Sequence, residues 1–307
     1  MRYHPEIDGL RAVAVVPVIL FHAGFPAFSG GFVGVDVFFV ISGFLITTII
    51  VADLEAGRFS FARFYERRAR RILPALFLVV VACIPFAWFW MLPGQLERFA
   101  QSVVSVCVFM SNVLFWRQSG YFEPATDLRP LLHTWSLAVE EQFYIVYPVL
   151  LLALWRVAKG RVAAALTVAA AISLALCVVA SQYQPTANFY LLPTRAWELF
   201  VGALCALRPV RPHRRQDDLL AWAGLAAILV AVATFDETTP FPSLWTLLPV
   251  VGTCFLLIYA VPTSGPGRVL STPSLVGLGI VSYGAYLWHQ PLFAFARLRT
   301  TRRSCWA

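Results

Sequence analysis

The chain has 307 residues, of which 59% are hydrophobic and 13% charged, with a formal net charge of +8. Ordinary soluble domains are about 45–50% apolar and about 25% charged, so this composition excludes a soluble globular protein and places most of the chain in lipid. The positive charge does not signal a nucleic-acid partner, because the arginines collect in short segments between apolar runs, as membrane-topology determinants do.

Apolar periodicity predicts helical spans at residues 12–27, 33–52, 72–92, 99–116, 136–155, 162–180, 189–207, 219–235, 244–261 and 274–296. The fold class is therefore all-α integral membrane, a bundle of about ten transmembrane helices, read as one membrane domain over 1–297 with a short basic tail at 298–307. The first apolar run has no small-residue cleavage site before the next, so the N-terminus is expected to be retained. Cys83, Cys107, Cys177, Cys205 and Cys254 lie inside the runs without metal-site or disulfide spacing, and no metal is expected.

Three basic segments claim the cytoplasm: the six arginines between 58 and 71, then Arg156, Lys159 and Arg161, then Arg208, Arg211, Arg214 and Arg215. Three candidate spans separate the first two segments, although two cytoplasmic loops must be joined by an even number of crossings. Either one span is re-entrant, with 99–116 the weakest by length, or the charge rule fails here; nine and ten crossings both stay open.

An ionisable side chain at the bilayer centre costs about 2.5–3.5 kcal/mol on insertion scales, so each one inside a span is a candidate functional residue. In the first span Arg11 and His22 fall about 20° apart on the helix surface and ~16 Å apart along it, with Asp8 one turn before Arg11 and able to pair with it. A membrane-end anchor and a satisfied core histidine explain the same residues. Asp36 enters the second span just after Gly34-Val35; in a tight hairpin it would sit level with His22 and orient the imidazole, or it could simply cap the helix start. Arg68 and Arg71, three apart, would present two planar forks suited to phosphate, although headgroup anchoring accounts for the cluster equally well.

The stretch His133-Thr134-Trp135-Ser136-Leu137-Ala138-Val139-Glu140-Glu141-Gln142-Phe143-Tyr144 opens the fifth span and puts His133, Ser136 and Glu140 on one helical face, with Glu141 adjacent. Arg195 and Glu198, one turn apart, read as a self-neutralising structural pair. In the last span Ser282, Tyr286 and His289 form a polar stripe.

These stretches together resemble the acyltransferase-3 family of bacterial membrane O-acyltransferases. The matching segments are Tyr3-His4-Pro5-Glu6-Ile7-Asp8-Gly9-Leu10-Arg11 with His22, the run from Gly34 to Ile46, the arginines ending in Ile72-Leu73-Pro74, His133 to Tyr144, and Ser282 to His289. The resemblance implies a multi-pass protein of the bacterial cytoplasmic membrane. It would move an acyl group, by default acetyl, from cytoplasmic acetyl-CoA to a hydroxyl of a surface or exported carbohydrate such as O-antigen or exopolysaccharide. The lipid bilayer and the carbohydrate acceptor are its implied partners. His22 is then the expected general base or acyl relay, with Asp36 and Glu140 supporting it. Arg11, Arg68 and Arg71 are the expected donor-binding residues, and His133, Ser136, Glu141, Tyr286 and His289 further polar-cavity candidates. Family members resembling O-antigen acetylases continue into an extracytoplasmic domain, whereas this sequence stops soon after His289, as a single-domain form or a truncated copy would. A transporter or flippase of a glycolipid or acyl donor, and an inactive homologue, are the alternatives.

Overall fold

A computed structural model describes residues 4–119, 126–208 and 214–304. Tyr3, Arg211 and the last three residues of the basic tail lie outside that range. Among the described residues all regular structure is helical. The chain divides into two compact units, one made of residues 1–58 and 143–283, the other of residues 59–142 and 284–307.

The first unit contains α1 (Pro5–His22), α2 (Gly34–Glu55), the later part of α6 (Thr134–Ala158), α7 (Val162–Tyr183), the short α8 (Pro185–Tyr190), α9 (Leu192–Ala206), α10 (Arg215–Thr234), α11 (Leu247–Tyr259), the short α12 (Gly265–Leu270) and the start of α13 (Pro273–Ser304). Its core joins Leu10 and Ala14 of α1, Val37 and Ile41 of α2, Leu225 and Ile228 of α10, and Leu256 of α11. A second cluster packs Val40 against Ala170, Trp197, Val250 and Cys254. The α2–α9 crossing depends on glycine. A Cβ at Gly43 would stand 1.9 Å from the Leu199 carbonyl oxygen, so only a hydrogen atom lets the two backbones approach this closely.

On α7, Val168, Ile172, Leu176 and Val179 are exposed at helical spacing and form an uncovered apolar stripe. A stripe of that kind is a liability in water and is the expected outer surface of a helix in lipid. Four helical stretches, Gly31–Glu55, Phe61–Trp90, Thr134–Tyr183 and Arg215–Thr234, are long and apolar enough to cross a bilayer by length and composition. The chain is a membrane protein with a helical architecture.

The second unit holds α3 (Phe61–Trp90), α4 (Pro93–Cys107), α5 (Ser111–Gln118), the first turns of α6 and the later part of α13. Two sequence expectations change here. The arginines at 63–71 are not a loop, because α3 starts at Phe61 and carries them on its first turns. The predicted span 99–116 is not one helix. It breaks at Phe109, whose φ of 54° is left-handed, where the Met110 amide donates back to the Ser105 carbonyl oxygen at 2.8 Å and closes the helix end. Gln142 of α6 secures the break, donating through Nε2 to the Phe109 carbonyl oxygen and to Asn112 Oδ1, both at 2.8 Å.

The 15 and 8 residues of α4 and α5 extend about 1.5 Å each, so neither reaches across a ~30 Å hydrocarbon core. The tail expected from 298 also changes character, since α13 continues helically to Ser304.

Candidate active site

The predicted site residues fall into two groups, one in each unit. In the first unit α1 begins at Pro5, whose missing N–H suits the first turn, and runs to His22. A turn at Ser29-Gly30 and a 3-10 turn over Gly31–Val33 return the chain into α2. A Cβ at Gly34 would come within 2.2 Å of the Ala14 carbonyl oxygen, so the hairpin closes tightly because that position is glycine.

His22 is half-buried, with its Nδ1 2.8 Å from the Val18 carbonyl oxygen and its ring edge-on to Phe21. A carbonyl can only accept, so Nδ1 carries a proton, and in the neutral ring Nε2 then holds the lone pair. At the other end of α1, Arg11 pairs with Asp8 at 3.5 Å, as their spacing predicted.

Asp36 does not orient His22. Its Oδ1 accepts from an Arg195 terminal nitrogen at 2.6 Å, and Arg195 Nε also lies 3.1 Å from Glu198 Oε1. All three side chains are fully buried, and the guanidinium packs over the rings of Phe39 and Phe241. The correction has a simple cause. A buried carboxylate gains most from a permanently charged planar fork, and α9 brings that fork to α2, whereas His22 is served by its own backbone. Arg195 and Glu198 therefore form part of a three-residue group rather than a local pair. The available signal was stoichiometric: one arginine and two acids in neighbouring apolar spans invite a shared site.

In the second unit His133 and His289 are buried with ring centroids 5.4 Å apart, and the Tyr286 ring lies 5.5 Å from His133. The Tyr286 hydroxyl donates to the His133 carbonyl oxygen at 3.1 Å and shares a 2.7 Å hydrogen bond with Ser136 Oγ. His289 Nδ1 donates to the Tyr286 carbonyl oxygen, which leaves Nε2 as its acceptor. Glu141 is buried within electrostatic reach of Arg68 and Glu140, and Glu140 in turn acts on Tyr286. The segments around 133–136 and 286–289 therefore meet in one polar cluster inside this unit, and Arg68 lies within electrostatic reach of Glu141.

Arg68 is half-buried and Arg71 exposed. Arg70 is tied to Glu66 at 2.8 Å. Neighbouring polar contacts that the sequence did not suggest include Gln290 Nε2 donating to the Arg129 carbonyl oxygen at 3.3 Å.

A family model described as an acyltransferase domain matches residues 4–304. The chain belongs to this acyltransferase family. It is 32% identical to a peptidoglycan O-acetyltransferase of Listeria monocytogenes, over 99% of this chain and 52% of the relative. A Bacillus subtilis protein carrying the provisional name of a peptidoglycan O-acetyltransferase is 34% identical over 96% of this chain and 49% of its own length. A Komagataeibacter xylinus protein, provisionally named a membrane-bound transacylase, is 34% identical over 93% of this chain and 72% of its length. The chain thus spans about half the length of the first two of these relatives. No solved structure matches it.

Proposed function

We propose that this chain carries out acyl transfer, by default of acetyl, from cytoplasmic acyl-coenzyme A to a hydroxyl of a surface or exported carbohydrate. The observation that carries the proposal is the contact of His22 Nδ1 with the Val18 carbonyl oxygen at 2.8 Å. With Nδ1 held by the Val18 carbonyl oxygen, Nε2 is left as an acceptor on a half-buried ring in a chain of acyltransferase ancestry.

In the proposed reaction His22 Nε2 takes the proton from the acceptor hydroxyl as its oxygen attacks the thioester carbonyl. The C–S bond then breaks and the proton passes to the departing coenzyme A thiolate. General-base assistance of this kind contributes typically ~10²–10⁴ in rate. Arg68 and Arg71 supply the cations for the donor phosphates, and Glu140 and Glu141 shape the polar surroundings of Arg68. The relatives' names make a peptidoglycan sugar an acceptor to place beside O-antigen and exopolysaccharide. The cytoplasmic membrane is the location that gives the donor access from one side and the glycan from the other.

The test supplies acetyl-coenzyme A and candidate glycans to membranes containing the chain and measures free thiol together with glycan acetylation. Thiol release matched by ester formation is the expected result. Movement of a substrate across the membrane without thiol release would replace this reading with a transporter.

A further inference from the structure

The second unit contains a recess of about 40 Å³ that the acyl-transfer reading does not use. One face of α4 forms one wall, because Gln95, Arg98, Phe99 and Ser102 recur at helical spacing, and Gln118 at the end of α5 and Arg129 stand on the other. Met91, which follows the last residue of α3, also lines it. The α3 helix separates this point from Arg71 by about 20 residues, or about 30 Å at ~1.5 Å per residue, the thickness of a hydrocarbon core. The recess and the Arg68–Arg71 pair therefore lie toward opposite ends of α3.

Arg129 is half-buried. Its Nη1 donates to Gln118 Oε1 at 3.4 Å, and its guanidinium lies 6.0 Å from the centre of the Phe115 ring. Gln118 in turn donates through Nε2 to Gln101 Oε1 at 2.8 Å, so the amide that holds the arginine is itself held. A membrane-anchoring arginine extends a flexible stem outward to the headgroups, whereas this one is fixed at the recess. Arg98, exposed on α4, adds a second cation to the lining.

No acid lines the recess among the described residues. Glu97 accepts from Gln101 Nε2 at 3.4 Å, and Asp127 is paired with Arg297 at 3.3 Å. Glu123 lies outside the described residues. With it included, the segments 91–130 and 290–307 carry Arg98, Arg117, Arg129, Arg297, Arg299, Arg302 and Arg303 against Glu97, Glu123 and Asp127, so an excess of positive charge remains wherever Glu123 stands. A space of ~10–15 Å³ holds one water, so this recess admits a group of about three heavy atoms, a carboxylate rather than a sugar ring. A carboxylate also matches the planar guanidinium fork. We propose that the recess binds the carboxylate of an acidic sugar in the acceptor glycan, with Arg129 and Arg98 as its partners. This assignment rests on the acyl-transfer reading, which brings the donor to the Arg68 end of α3 and the glycan to the other.

The full chain is placed in nanodiscs of phosphatidylcholine, with or without phosphatidylglycerol, and binding of fluorescently labelled tetragalacturonate is followed by polarisation in the absence of any acyl donor. Unlabelled tetragalacturonate, maltotetraose, which is neutral and of equal length, and inorganic phosphate serve as competitors. Acetyl transfer is assayed separately. Binding that stays intact where no transfer occurs would sink the acyl-transfer reading and uphold the carboxylate site.

The expected result is saturable binding that tetragalacturonate displaces at concentrations at least about 10-fold below those of maltotetraose or phosphate, as one charge-assisted contact allows. Arg129→Gln should weaken binding about 10-fold or more. Arg98→Gln, at an exposed position, should weaken it several-fold and serves as a second variant if Arg129→Gln does not fold. Arg117→Gln, which removes the same charge from α5 outside the recess lining, should leave it unchanged. Absence of binding, equal displacement by maltotetraose or phosphate, equal weakening by Arg117→Gln, or binding that survives both recess substitutions overturns the proposal. Loss of binding in discs containing phosphatidylglycerol would assign the recess to a lipid headgroup and overturn it equally.

Discussion

Asp36 and Arg195, 159 positions apart in the sequence, meet at 2.6 Å with both side chains fully buried. Glu198 completes the group from one turn along α9. Removing one member of a buried ion pair leaves an uncompensated charge and costs about 3–5 kcal/mol. Arg195→Leu is therefore expected to lower the thermal midpoint of the detergent-solubilised protein sharply, as read by fluorescence-detected size exclusion. Asp36→Asn, which leaves Arg195 paired with Glu198, should be milder. Its activity per folded molecule should keep the wild-type pH profile, because Asp36 does not contact His22. A shifted profile in Asp36→Asn would return Asp36 to the catalytic group.

His22→Ala is expected to lower acetyl transfer by ~10²–10⁴ while insertion and thermal midpoint stay near wild type. His22→Gln should behave alike, since it keeps a hydrogen-bonding side chain without a base in the working pH range. Near-normal glycan acetylation in either variant, measured by mass spectrometry at matched protein content, would remove His22 from the mechanism.

Arg68→Lys and Arg71→Lys separate phosphate binding from headgroup anchoring, because lysine keeps the charge and loses the planar fork. Loss of one charge-assisted contact is worth about 1.5–3 kcal/mol, so the acetyl-coenzyme A needed for half-maximal rate should rise about 10-fold or more. An unchanged donor requirement in both variants would leave the arginines as anchors.

Tyr286→Phe deletes the hydroxyl that joins Ser136 Oγ and the His133 carbonyl oxygen. Each lost hydrogen bond is worth about 0.5–1.5 kcal/mol, so a modest drop in thermal midpoint is expected, and Ser136→Ala should add little to it because the two share one interaction. Additive losses in the double variant would show that the two hydroxyls act separately.

Gly43→Ala would drive a methyl group to 1.9 Å from the Leu199 carbonyl oxygen. Overpacking of this kind costs typically ~1–3 kcal/mol. Gly94→Ala, with nothing within 4 Å of the added Cβ, is the matched control. Equal thermal midpoints for the two variants would contradict the α2–α9 packing described above.

The sequence by itself determined the membrane class and the helical architecture, because apolar runs of bilayer length leave no other way to satisfy the backbone. It also marked the Asp8–Arg11 pair and the residues around 68, 133–141 and 286–289, since those signals are local in charge and spacing. Tertiary structure alone decided what distant polar groups do. The partner of Asp36 lies 159 positions away, and no periodicity encodes which of several acids a buried guanidinium will reach. The break at Phe109 was hidden for a related reason. The stretch 99–116 is apolar enough to read as one span, and only the left-handed turn together with Gln142, more than thirty positions later, ends α4 short of a crossing. Local patterns report which groups lie within a turn or two of one another, whereas buried polar groups are satisfied wherever packing brings a complementary partner.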